Sequence, residues 1–284
     1  MGLCGPHLRE EKYRAFQHCS ATRLLLSWER DGGDRPDMSH ELNEWGLPVG
    51  RAVPGWTSRP WPPATFMQGR YCRVAPLVTA DHGPALWSRL CAPSHPRQWT
   101  YMPYHRPADA AACEAWIVSL AACRDPMFHA VIDQGIGDAS GLAAFLRVDC
   151  ANGVIEVGHI NFAPAFQRTC ASTEAVYLMM RRVFEELGFR RLEWKCDSLN
   201  APSRRAAERL GFAFEGVFRN ALVRNGRNRD TAWYAMIDGD WPAMKAAIES
   251  WLDPANFDTQ GRQITPLSGF GTSARELILR RDSS

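Results

Sequence analysis

The sequence predicts a mixed α/β domain over residues 70–252, on three observations. From Arg70 onward, period-two and helical-period segments follow in the order β-α-α-β-β-β-α-β-α-β-β-α. Three of the strands are consecutive and joined by short turns containing Gly, the mark of hairpins. The strand–helix–strand run over residues 154–196 calls for a right-handed parallel crossover in the same sheet.

Taken in order, Tyr71–Leu77 reads as the first strand. Ala80–Leu90 and Ala108–Ala122 read as helices, the second with Ala112, Trp116 and Leu120 on its apolar face. Met127–Asp133, Leu142–Asp149 and Val154–Phe162 are the three successive strands. The turn Asp149–Gly153 between the last two ends in Asn-Gly, a good hairpin signal. Val176, Met179, Met180, Val183 and Leu187 give an amphipathic helix that opens near Thr173, with Gly188 placed as its C′ residue. Arg191–Cys196 alternates polar and apolar and is a strand. Pro202–Leu210 is a short helix, with Pro near its start and Gly211 just past its end. Phe214–Arg219 and Asp230–Ile237 are strands around a turn at Asn225–Gly226, and Trp241–Trp251 is a closing helix.

The flanks are less regular. Residues 1–37 mix charges with an isolated apolar patch at Leu24–Leu26 and read as a poorly ordered tail. Met38 is a candidate native start, and an extra helix over Tyr13–Arg30 is the alternative. Residues 38–69 read as an extended Pro/Gly-rich arm, because Pro removes donors and disfavours helix. Residues 253–284 read as a tail that wraps the domain or frays.

Bulk properties exclude several classes. Of 284 residues 45% are hydrophobic and 23% charged, ordinary for a globular protein. A net charge of +2 gives no basis for a nucleic-acid or anionic-membrane partner. No apolar run reaches the ~18 residues of a transmembrane helix. The nine cysteines are scattered, without C-x-x-C, and no His-x-x-x-His occurs. Free thiols in a reducing, cytoplasmic setting are expected, and neither a disulfide framework nor a metal site. The N-terminus lacks the apolar stretch of a secretory signal, and Glu10 and Glu11 break the acid-poor pattern of a transit peptide.

The most informative stretch is Pro164–Met180, where a polar loop feeds a helix. A helix N-terminus presents unpaired N–H groups and partial positive charge, a ready site for phosphate. Gln167, Arg168, Thr169, Cys170, Ala171 and Ser172 supply successive backbone donors, and Arg168 adds a cation. Ser172 is placed to cap the helix or to bind an oxygen. A plain capped helix without ligand is the alternative.

This loop resembles the pyrophosphate motif Q/R-x-x-G-x-G/A of the GNAT superfamily of acetyl-CoA-dependent N-acetyltransferases. Gln167 matches the first position, whereas Cys170 and Ser172 stand where the family has Gly and Gly/Ala. Small side chains substitute there if φ stays negative. The run Asn200–Phe212 is similar to the family's N-x-x-S/A…LGF segment, and Glu156–His159 to its E-x-G-Y strand. Together they are most similar to the ribosomal-protein alanine N-acetyltransferase branch, over residues 70–250. The resemblance implies a central, mostly antiparallel, splayed sheet flanked by helices, and acetyl-CoA as co-substrate.

It also implies roles. The splayed strand end Ile160–Phe162 makes Asn161 and Phe162 candidates for the oxyanion and pantetheine contacts. Glu156 and His159 are candidate bases; three apart on a strand, they should point to opposite faces, so at most one faces the acceptor. A half-buried, satisfied histidine is the plain reading of His159, and a structural carboxylate that of Glu156. The family's Tyr acid falls at Ala207 and is absent. Ser203 is the candidate acid or thiolate donor, or simply a first-turn serine; Asn200 binds pantetheine or caps the helix. Trp99, Tyr101 and Tyr104 lie on the candidate acceptor loop, or in the core. Arg224, Arg227 and Arg229 would receive an acidic acceptor or form a solvated turn, the second being favoured. Cys170 is a reactive thiol lowered by the helix N-terminus, or a small filler.

The function expected is metal-free acetyl transfer to a primary amine, of a small molecule or protein N-terminus, by direct attack in a ternary complex. A CoA-binding module with little turnover is the alternative, motivated by Ala207 and the glycine-free loop. Monomer and homodimer both remain open.

Overall fold

The computed structural model describes residues 40–94 and 96–270. The expectations for residues 1–37, and for the end of the C-terminal tail, lie outside them. The described chain falls into two units, residues 40–54 and 55–270.

In the first, β1 (His40–Leu42) and β2 (Pro48–Gly50) pair antiparallel, with His40 opposite Gly50. Asn43 closes the turn: its Oδ1 accepts from the amides of Trp45 and Leu47.

The second unit is built on an eight-stranded sheet. Its strands are β3 (Met67–Gln68), β4 (Cys72–Pro76), β5 (Met127–Asp133), β6 (Ala139–Asp149), β7 (Val154–Phe162), β8 (Arg191–Asp197), β9 (Ala213–Arg224) and β10 (Arg227–Ile237). Their spatial order is β3-β4-β5-β6-β7-β8-β10-β9. Neighbours are antiparallel except β7 and β8, which are parallel, as the crossover requires. That parallel pairing is brief. Val154–Glu156 pair with Arg191–Glu193, and beyond them the strands part. The splay leaves the second half of β7 bonded to β6 on one side only.

The helices are α1 (Thr79–Ala85), which runs into a π-helical turn at Leu86–Cys91, α2 (Ala110–Ala121), α3 (Cys170–Arg181), α4 (Ala201–Arg209) and α5 (Trp241–Leu252). The element order matches the sequence reading; several details differ. In α2 the buried residues are Cys113, Ile117 and Leu120, while Ala112 is exposed and Trp116 half-buried. Trp116 and Ile117 are adjacent apolar residues, and packing against α1 rotates the helix towards the second. Strand β9 is longer than Phe214–Arg219, because the hairpin continues past a bulge to Arg224 opposite Arg227.

Helix α3 starts at Cys170, not near Thr173, and its polar face is buried along with the apolar one. Every residue from Ala171 to Met180 is buried, since the helix lies between the sheet and α5. Its polar residues are satisfied inside. Glu174 accepts three backbone amides at the entry to β4: Arg70 N at 2.8 Å, Tyr71 N at 2.7 Å and Cys72 N at 2.8 Å. The helix continues as a π-helical turn, Arg182–Glu186, and ends at Gly188, which takes the expected positive φ of 67°.

The Pro-rich stretch after Pro54 lies on this unit. Trp56 Nε1 donates to Ala151 O and Arg59 N to Cys150 O, both at 2.8 Å. Arg182 secures the end of the stretch, donating to Thr65 O and Phe66 O. Trp56 also explains Gly153 in the predicted Asn-Gly turn: φ is 63°, and a Cβ would lie 2.5 Å from the indole.

Candidate active site

The gap between β7 and β8 opens into a cleft of about 1960 Å³. Its floor is β7, and β7 is irregular where it matters. His159 and Ile160 together oppose Ala143, so the strand carries a bulge, and His159 has φ 50°. The extra residue breaks the alternation. The expectation that Glu156 and His159 face opposite ways is therefore corrected: both line the cleft.

Neither is a free base. The buried Glu156 carboxylate meets Arg147 Nη1 at 2.6 Å and Lys195 Nζ at 3.2 Å. Lys195 also binds Glu193 at 2.6 Å and sits 3.7 Å from the Trp233 ring centre. Burial pushes the Glu156 carboxyl up, and Arg147 and Lys195 pull it only partly back. His159 packs between Tyr104 and Phe128, at 5.9 and 5.0 Å between ring centres. Burial, then the charges of Arg224, Arg147 and Arg229, bring it down to about 4, so it is neutral at pH 7. It is not the satisfied histidine expected, because its buried Nδ1 has no hydrogen-bond partner among the described residues.

The strand end is tied by two glutamines. Gln98 Nε2 donates to Asn161 Oδ1 at 2.8 Å and to Phe162 O at 3.0 Å. Gln167 Nε2 donates to Phe162 O at 2.9 Å. Gln167 thus turns back onto the strand; its side chain is not aimed at the helix N-terminus. The buried Nδ2 of Asn161 has no partner among the described residues.

The loop then delivers α3 to the cleft. Arg168 adopts φ 63°, so the positive φ falls there and not at Cys170 or Ser172. Thr169, not Ser172, is the N-cap: its Oγ1 accepts from Ser172 N at 3.1 Å. Ser172 Oγ donates back to Thr169 O. Arg168, Thr169, Cys170 and Ala171 donate their amide hydrogens to no oxygen among the described residues. Four such amides in sequence are the donor set a pyrophosphate needs. Burial pushes the Cys170 thiol up and outweighs the amides that lower it, in line with the reading of Cys170 as a small filler. Ala171 is buried and contributes its backbone alone.

The far wall is β8 and α4. Asn200 caps α4, accepting from Ser203 N at 3.2 Å. Ser203 Oγ accepts from Trp194 Nε1 at 3.0 Å, and its own hydrogen is the donor that bears on the Cys196 thiol. Ala207 is fully buried. Of the three aromatic residues expected around the acceptor, only Tyr101 lines the cleft, with its hydroxyl donating to Leu199 O at 3.2 Å. Trp99 is core, and the half-buried Tyr104 packs against it. Trp99 is buried with its indole N–H on Ser94 Oγ, and Tyr104 packs 5.0 Å from Trp116 and 6.1 Å from Trp99.

Sequence reading missed further residues. Arg205 and Arg209 also line the cleft, Arg209 beside the first turn of α3, and their i, i+4 spacing on α4 was the available signal. Arg209 donates to Thr173 Oγ1 at 3.1 Å and lies 4.8 Å from the Trp251 ring centre. Arg224 and Arg229, read as a solvated turn, line the cleft, while Arg227 is exposed. No group of three His, Cys, Asp or Glu residues that would hold a metal occurs among the described residues.

Comparison with known proteins fits this geometry. The GNAT acetyltransferase domain family matches residues 74–213. A GCN5-related N-acetyltransferase from Brucella melitensis is 45% identical with a TM-score of 0.75, covering 77% of this chain and 99% of its own. A GNAT-family acetyltransferase structure from Chromobacterium violaceum ATCC 12472 is 38% identical with a TM-score of 0.64, covering 69% and 98%. YdaF of Bacillus subtilis (strain 168), which carries a ribosomal N-acetyltransferase name, is 29% identical over 109 residues, 38% of this chain. The chain spans 59% of the length of YdaF and 50% of that of YnaD, a second curated relative from the same organism. With its splayed mixed sheet, bulged floor strand and amide-lined helix start, the chain belongs to the GNAT family of N-acetyltransferases.

Proposed function

We propose that the protein transfers the acetyl group of acetyl-CoA to a primary α-amine by direct attack in a ternary complex. The observation that carries the reading is the row of four amides, Arg168–Ala171, that meet no oxygen among the described residues and open onto the splay between β7 and β8. These amides, with Arg168, Arg205 and Arg209, hold the pyrophosphate. Asn161, Phe162 and Asn200 flank the pantetheine path. The amine nitrogen bonds to the thioester carbon as the C–S bond breaks. The β7 strand end stabilises the developing oxyanion, and Ser203 donates to the departing sulfur.

The cleft favours an acceptor of low basicity. Its histidine is held near 4 and its carboxylate is shared by two cations, so deprotonation rests on the amine itself. At pH 7.5 an α-amine of pKa about 8 is roughly one-quarter neutral, against about 0.1% for a lysine side chain near 10.4. The proton that the amine loses on attack passes to water. The ribosomal name of YdaF supports a protein N-terminus as acceptor, and a small α-amine fits the same chemistry.

The test is calorimetry with acetyl-CoA, followed by mass spectrometry of peptides with free or blocked N-termini. Acetylation confined to free N-termini is expected. Binding without product on any amine would favour a CoA-binding module, and no binding would end the enzyme reading.

A further inference from the structure

The tip of the β9–β10 hairpin places Arg224 and Arg229 on the wall of the cleft, with Arg147 nearby on β6. The register pairs Arg224 with Arg227 and Leu222 with Arg229, so the two lining arginines are diagonal neighbours on one hairpin face. The three guanidiniums act together: all bear on His159, and burial with the charges of Arg229 and Arg147 lowers Arg224.

Counter-charge reaches only part of this cluster. Arg147 has Glu156 at 2.6 Å, and Lys195 has Glu156 and Glu193 at 3.2 and 2.6 Å. Arg224 and Arg229 have no carboxylate within 4.0 Å among the described residues; Asp197 offsets Arg224 from farther away. Arg229 Nε is buried without a hydrogen-bond partner among the described residues, and so is Thr231 Oγ1, two residues on and also lining the cleft. Buried unpaired donors are costly, and a cluster of like charges withdrawn from water is more so. A planar oxyanion supplies what both lack: two acceptor oxygens that match a guanidinium fork, and the missing negative charge.

We propose that the acceptor carries a carboxylate beside its amine, and that Arg224 and Arg229 grip it while the amine faces the thioester. This rests on the acetyltransferase reading above and names its substrate class. The carboxylate is either the α-carboxylate of a free amino acid or an acidic side chain next to a peptide N-terminus.

The experiment uses the full chain and two matched acceptor pairs: serine against serinamide, and the tripeptide amides Ser-Asp-Phe against Ser-Asn-Phe. In at least one pair the acidic member is expected to lead by about ten-fold or more in kcat/KM, mainly through KM. The pair that does so identifies the source of the carboxylate. In the R224Q/R229Q double variant that ratio falls towards one, while in R227Q, on the exposed tip, it stays. Acetylation of acidic and neutral members within about two-fold in both pairs would overturn the proposal yet leave the acetyltransferase reading intact. A preference that survives in R224Q/R229Q would also overturn it. No acetylation of any of the four acceptors would overturn both.

Discussion

Glu174 offers the sharpest test of how the fold is held. Its carboxylate accepts three backbone amides in a row, one on Oε1 from Arg70 and two on Oε2 from Tyr71 and Cys72. In Glu174→Ala all three donors lose a charged acceptor. Arg70 is exposed, so its amide reaches water; Tyr71 is half-buried and Cys72 fully buried. Two of the three therefore stay largely dry, at about 1–3 kcal/mol each, which gives a loss of about 2–6 kcal/mol. That is a large share of the ~5–15 kcal/mol that holds a typical domain. Glu174→Gln keeps one oxygen, enough for the Tyr71 and Cys72 pair, but turns an NH₂ towards the Arg70 amide. Its loss should be smaller, about 1–2 kcal/mol. Urea unfolding followed by circular dichroism measures both. An alanine variant within about 1 kcal/mol of wild type, or one no worse than the glutamine variant, would refute the reasoning.

Three further outcomes are expected. Ser203→Ala lowers kcat by about ten-fold or more with little change in acetyl-CoA affinity, and an unchanged kcat would remove Ser203 from the thiolate. Arg209→Ala weakens acetyl-CoA binding by about ten-fold in calorimetry, because a cation beside the α3 amides is lost; equal affinity would place the pyrophosphate elsewhere. The third concerns pH. His129 is held down to about 4 by burial and then by Arg182, whereas an unfolded histidine titrates near 6.5. The unfolded chain therefore takes up a proton that the folded chain refuses, so stability present above pH 6.5 is lost as pH falls towards 4. Between pH 7 and pH 5 that is about 2 kcal/mol for this residue, and a His129→Gln variant should lose correspondingly less in paired urea titrations. Parallel wild-type and variant profiles would reject the assignment.

The element order and the parallel crossover were legible because hydrophobic period is a local property. What escaped was decided by contacts distant in sequence. Thr169, Ser172 and Thr173 are all competent caps, and the choice of Thr169 follows from the positive φ of Arg168, which no residue type announces. The bulge at His159 is a mismatch of count between β6 and β7, invisible in β7 alone, and it brings Glu156 and His159 into one cleft. The arginines of the β9–β10 hairpin were visible as residues, but their destination depended on strands of 12 and 11 residues reaching across the splay. Trp99, Tyr101 and Tyr104 show the converse. Three aromatics on one loop look alike in sequence; Trp99 is buried, and Tyr104 is turned away from the cleft by its packing against Trp99 and Trp116.

The brief pairing of β7 with β8 also has a mechanical side. Strands β3–β7 form one plate of five and β8, β10 and β9 another of three, riveted along the sheet by only the three pairs from Val154 to Glu156. Such a seam is compliant under load, and α3 carries the chain across it from β7 to β8. A molecule wedged in the gap would work as a dowel, touching both plates at once and damping their relative flexing. Amide exchange in β6 and in β10, on opposite sides of the seam, should then slow together when acetyl-CoA is added, although neither strand need touch the nucleotide.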